Sequence, residues 1–138
     1  MVPLTITSQK TNTRPLPPDI VLLATEWRPR ALLRAQLIEE GFEVVATDTW
    51  TAMRRCLRPG AKPLLAIVDL QGLPQPDHVL KDLKTLMKAT RVLVLTAIGT
   101  VVADDLQASG FHIVKRPIPI GGVVAAAAAI IRNEKAAV

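Results

Sequence analysis

A chain of 138 residues, 49% of them hydrophobic, is one domain's worth and excludes a mostly disordered protein. Its net charge of +5 favours acidic partners, but the basic residues are scattered apart from Arg54, Arg55, Arg58 and Lys62. With no Tyr, two Phe and two Trp there is no aromatic platform for single strands, so the basic residues read as a solvated face and no nucleic-acid partner is expected.

The longest uncharged run, residues 117–131, contains Pro and Gly and is too short to span a bilayer, so no membrane association is expected. No apolar leader opens the chain, and the single cysteine, Cys56, forms no internal disulfide and fits a reducing cytoplasm.

In chain order, residues 1–18 carry Pro3, Pro15, Pro17 and Pro18 among polar residues and are expected to form a flexible tail ahead of a single domain, 19–138. An apolar run predicts a strand over 20–24. A helix follows over 29–40, opened by Pro29, with Leu32, Leu33, Leu37 and Ile38 as its apolar face and Gly41 as its stop. A second strand is expected over 42–47, then a helix capped by Thr49 that runs to Leu57 before Pro59 and Gly60.

Residues 64–71 read as a strand buried on both faces and ending in Asp69. A helix from Pro76 or Asp77 to Lys88 turns Val79, Leu80, Leu83, Leu86 and Met87 inward. Next come a strand over 91–96, a short helix over 101–108, a strand over 111–115 and a last helix over 121–132. Strict alternation with short links predicts a three-layer αβα fold, (βα)5, around a parallel sheet. The first strand–helix turn, residues 24–30, has no glycine, which excludes a Gly-rich dinucleotide or P-loop site.

Function in such sheets gathers where the strands end. There the sequence places Asp69, Thr96 with Ala97, and Lys115-Arg116-Pro117. In these residues the chain resembles the receiver domain of bacterial two-component response regulators over about residues 20–132. The resemblance implies the flavodoxin-like strand order 2-1-3-4-5. It implies that Asp69 stands at the phosphoacceptor position, and Thr96 with Arg116 or Lys115 at the phosphate-site positions. It also implies a cis bond before Pro117. Adjacent strand residues point to opposite faces, so only one of Lys115 and Arg116 reaches Asp69; the slot next to the proline favours Arg116.

The chain departs from that pattern. The acidic pair with which receivers hold Mg²⁺ is replaced by Ala24 and Thr25, and Glu26 comes one residue late. Mg²⁺ wants hard, preferably anionic oxygens. Losing it costs phosphoryl transfer on the order of 10³-fold or more in rate. The turn after Asp69 carries one extra residue before Leu73-Pro74. The aromatic switch position of the last strand falls on Ile113 or His112.

Asp69 therefore reads as a carboxylate paired with Arg116, with no metal and no cofactor. His78 and His112 lack metal-ligand companions, and Cys56 reads as helix packing. Trp27 and Trp50, in loops at the carboxyl edge, either cover the emptied metal pocket or simply pack. Asp104 and Asp105 read as a solvated face.

The expectation is a stand-alone degenerate receiver-like domain, not an enzyme. It acts through a protein partner, a histidine kinase or another signalling protein. One alternative is a single-domain regulator phosphorylated on Asp69 with Mg²⁺; another is a small-ligand sensor using the vacated pocket. The last helix is apolar all round, and Val123, Val124, Ala126, Ala127 and Ile130 are expected to form an interaction face, for a homodimer or a partner.

Overall fold

The structure, a computed structural model, describes residues 16–97 and 108–136. The tail through residue 15 and nearly all of the short helix expected over 101–108, with Asp104 and Asp105, lie outside the described residues.

The elements are β1 (Ile20–Leu23), α1 (Trp27–Glu39), β2 (Val44–Thr47), α2 (Trp50–Arg55), β3 (Leu65–Asp69), α3 (Pro76–Leu86), β4 (Val92–Leu95), β5 (His112–Val114) and α4 (Ile120–Ala136), with a 3-10 turn at Ala89–Arg91 before β4. All strand pairs are parallel, in the order β2-β1-β3-β4-β5. Every residue of β1, β3 and β4 is buried. That is why these strands are near-continuous runs of Val, Ile and Leu, while the edge strands β2 and β5 are half-exposed.

The two-residue period of the strands divides the core. Ile20, Leu22, Leu65, Ile67, Leu93 and Leu95 pack with α1 and α4. Val21, Leu23, Ala66, Val68, Val92 and Val94 pack with α2 and α3 through Met53, Val79, Leu80 and Leu83. Each large side chain fully buried this way contributes roughly 1.5–3 kcal/mol. Thr49 caps α2 as expected, its Oγ1 accepting from the Ala52 amide at 3.1 Å.

Two faces differ from expectation. In α1 only Leu33 and Leu37, one turn apart, reach the core, while Leu32 and Ile38 are 49% and 42% exposed. Each of those two lies about 100° around the helix from its neighbouring leucine, on opposite sides, and the narrow contact with the sheet takes neither.

In α4 the expected interaction face is mostly core. Val123, Val124 and Ala127 are buried, and Ala126 and Ile130 are partly buried against the same cluster. α4 packs on the sheet and on α1 together, and so needs a wide apolar face. Its exposed side is instead Gly121, Ala125 and Ala129. Gly122 permits the close approach of the incoming loop, since a Cβ there would lie 2.9 Å from the Ile118 side chain.

Candidate functional site at the carboxyl edge of the sheet

Asp69 ends β3 and is 3% exposed. Strand alternation turns it to the same side as Leu65 and Ile67, toward α1 and α4. Beside it β4 ends in Thr96, also buried, whose amide donates to the Val114 carbonyl at 3.1 Å and so ties the ends of β4 and β5 together.

The chain leaving β5 passes through Lys115 and Arg116, and the Arg116–Pro117 bond is cis. The Arg116 amide donates to Thr96 Oγ1 at 3.0 Å. Its side chain reaches Asp69 with both arms: Nη1 donates to Oδ1 at 2.6 Å and Nη2 to Oδ2 at 2.5 Å. Nη1 also donates to the Thr96 carbonyl at 2.7 Å. The Gln71 amide adds a donation to Asp69 Oδ1 at 2.9 Å, set by the turn that follows the strand. Both carboxylate oxygens are thus engaged by a planar two-pronged donor, the strongest geometry available to such a pair. Lys115 is exposed and takes no part.

At the end of β1, Ala24 is buried and presents no side-chain ligand. Its carbonyl and that of Thr25 accept from Arg30 Nη1 at 2.9 and 3.2 Å. Thr25 Oγ1 is buried without a hydrogen-bond partner among the described residues. Arg30 has no equivalent in the sequence reading. Its partners are backbone carbonyls, which no residue identity announces. Its place in the first turn of α1, six residues after Ala24, is the one available signal.

A cavity of about 220 Å³ opens beside the pair. Its walls include Arg28, Leu32, Ile118, Ile120 and Val123, and Asp69 and Arg116 line it. Neither tryptophan lines it. Trp27 opens α1 and is 66% exposed, with the Arg28 guanidinium 5.5 Å from its ring centre. Trp50 opens α2 and packs on the opposite face of the sheet.

The remaining candidates occupy surface or packing positions. His78 faces Asp82 at 3.3 Å one helical turn away, and His112 Nε2 lies 2.9 Å from the Thr90 carbonyl. Cys56 is half-buried against the core. At the switch position, Ile113 packs partly into the core and His112 is exposed. No cluster of three or more His, Cys, Asp or Glu side chains occurs among the described residues.

No protein-family model matches the chain, and no curated protein matches it. Among solved structures it is similar to a response regulator receiver domain protein from Clostridium thermocellum, at 18% identity and a TM-score of 0.70, covering 86% of this chain and 98% of that one. It is similar to a Francisella response regulator receiver domain at 14% identity and a TM-score of 0.70, covering 85% and 98%. A response regulator receiver protein from Sinorhizobium medicae matches at 17% identity and a TM-score of 0.64, covering 82% and 93%. With the parallel order 2-1-3-4-5, these likenesses give the chain the flavodoxin-like fold of response-regulator receiver domains.

Proposed function

We propose that this chain is a receiver-like signalling module that acts by binding a protein partner, a histidine kinase or another signalling protein, and not by catalysis or phosphoryl transfer. A cytoplasmic location belongs to the same proposal. The observation that carries it is the two-armed hold of Arg116 on Asp69. A carboxylate that accepts a phosphoryl group needs one oxygen free to attack, and here both are engaged, Oδ1 twice. Arginine makes this engagement permanent, because its charge is fixed and its fork matches the carboxylate.

The donor set does not fit Mg²⁺. Ala24 supplies nothing, and the nearest backbone carbonyls already accept from Arg30. The oxygen left over, Thr25 Oγ1, is a single neutral hydroxyl. Two guanidinium groups bonded at this edge also disfavour a dication by simple repulsion. Calorimetric titration with Mg²⁺ is expected to give no saturable binding at millimolar metal. Binding that disappears in Asp69→Asn would overturn the proposal.

A second reading, a small-ligand sensor, is favoured by the cavity beside the pair. Its walls are mostly apolar, with the Arg28 side chain among them, which suits a small carboxylate with an apolar body. On this reading short aliphatic and aromatic carboxylates raise the melting temperature of the wild type and not of Leu32→Glu. No shift with any of them removes it.

A further inference from the structure

We propose that Arg116 is a two-edged anchor: its end holds Asp69, and its side holds the carboxylate of a small apolar monoanion in the adjoining cavity. This rests on the sensor reading of that cavity, and it names the group that recognises the ligand.

A guanidinium carries five N–H donors in a rigid plane, arranged as one fork at its end and another along its side. In Arg116 the end fork is fully engaged. Both hydrogens of Nη1 are committed, to Asp69 Oδ1 at 2.6 Å and to the Thr96 carbonyl at 2.7 Å, and one of Nη2 goes to Asp69 Oδ2. What is left is the Nε hydrogen and the second hydrogen on Nη2, which together make the side fork. Neither has a hydrogen-bond partner among the described residues. Nε is not sealed in the core either, because among the described residues only Thr25 Oγ1 is a buried side-chain polar atom without a partner. Asp69 and the Thr96 carbonyl fix the plane of the group, so the side fork is in place before any ligand arrives, which lowers the ordering cost of binding.

The cavity supplies the rest. Leu32 and Leu33 of α1 and Ile118, Ile120 and Val123 around the start of α4 give it apolar walls. Its ionisable lining is Arg28, Arg116 and Asp69, two cations against one anion. A monoanion cancels the excess charge, whereas a phosphate dianion overshoots it and a cation is repelled. Arg28 is exposed and so stands at the mouth, its guanidinium 5.5 Å from the Trp27 ring centre. α1 and α4 both begin at this cavity with no acidic residue in their first turns, and their positive ends favour the same sign of ligand.

Size narrows the ligand further. A cavity of about 150 Å³ takes a benzene, so one of about 220 Å³ takes roughly nine non-hydrogen atoms, as in benzoate or hexanoate. Such a ligand bridges α1 and the chain that follows β5. It uses N–H groups that Asp69 does not, and so adds to the Asp69–Arg116 pair instead of displacing Asp69.

Titration of the intact chain with benzoate, benzamide and phenyl phosphate tests the proposal, read by calorimetry and by the Arg116 Nε–H nuclear magnetic resonance signal. The wild type is expected to bind benzoate with a Kd on the order of a millimolar, and benzamide and phenyl phosphate at least about tenfold more weakly. The Arg116 Nε–H signal is expected to move as benzoate is added. Arg28→Gln, a change at an exposed position, is expected to weaken benzoate by roughly two- to fivefold and to leave benzamide unchanged. Arg116→Lys keeps the charge without the fork and is expected to weaken benzoate by roughly tenfold or more. If none of the three compounds binds the wild type at roughly tens of millimolar, this inference and the sensor reading both fall. If benzoate binds no better than benzamide, or binds without moving the Arg116 Nε–H signal, this inference alone is overturned.

Discussion

The Asp69–Arg116 pair is 4% and 15% exposed at its side chains, so each charge depends on the other for what water would have supplied. Removing one partner leaves the other buried and unpaired. Arg116→Ala is expected to lower unfolding free energy near neutral pH by about 3 kcal/mol, read from urea denaturation. Replacing both, Asp69→Leu with Arg116→Met, is expected to cost less than the single change, because no orphaned charge remains. Equal stability of wild type and Arg116→Ala would contradict the geometry. Both members were legible in the sequence: an acid closing an apolar strand run, and a basic residue before a proline. Strand alternation narrowed Lys115 and Arg116 to one, and the structure selects Arg116. Arg30 was not legible, because its acceptors belong to the backbone.

At the scale of elements, the strands and most helix positions follow from pattern, and the helix faces do not. The doublets Leu32-Leu33 and Leu37-Ile38 offer two candidate stripes each, and only contact with the sheet chooses Leu33 and Leu37. In α4 the alanine run has no period to read, so a face expected outside is inside: Ala127 is 0% exposed while Ala125 and Ala129 are exposed. Ala127→Glu is therefore expected to destabilise the fold by more than about 3 kcal/mol, as an unpaired charge forced into a packed core. Ala125→Glu and Ala129→Glu are expected to stay within about 0.5 kcal/mol of wild type. Thermal melts of the three decide it, and a tolerated Ala127→Glu would show that α4 does not pack as described.

For the whole molecule, regular alternation of strands and helices was enough to predict an αβα sandwich, because parallel strands need helical crossovers and buried strands need apolar residues on both faces. The strand order came from resemblance at the functional edge and is observed as such. What that edge does follows from how its charges are arranged. On the function proposed here, Ala24 and Thr25 at the end of β1 supply no acid for a metal, and Arg116 closed on Asp69 opposes phosphoryl transfer to it. The most direct measurement is the intact mass of the protein after incubation with a small acyl phosphate and Mg²⁺, run beside the triple variant Ala24→Asp, Thr25→Asp, Arg116→Lys. The account predicts that the wild type gains no phosphate while the triple variant gains one on Asp69. A wild type phosphorylated on Asp69 at a rate comparable to the variant would contradict it.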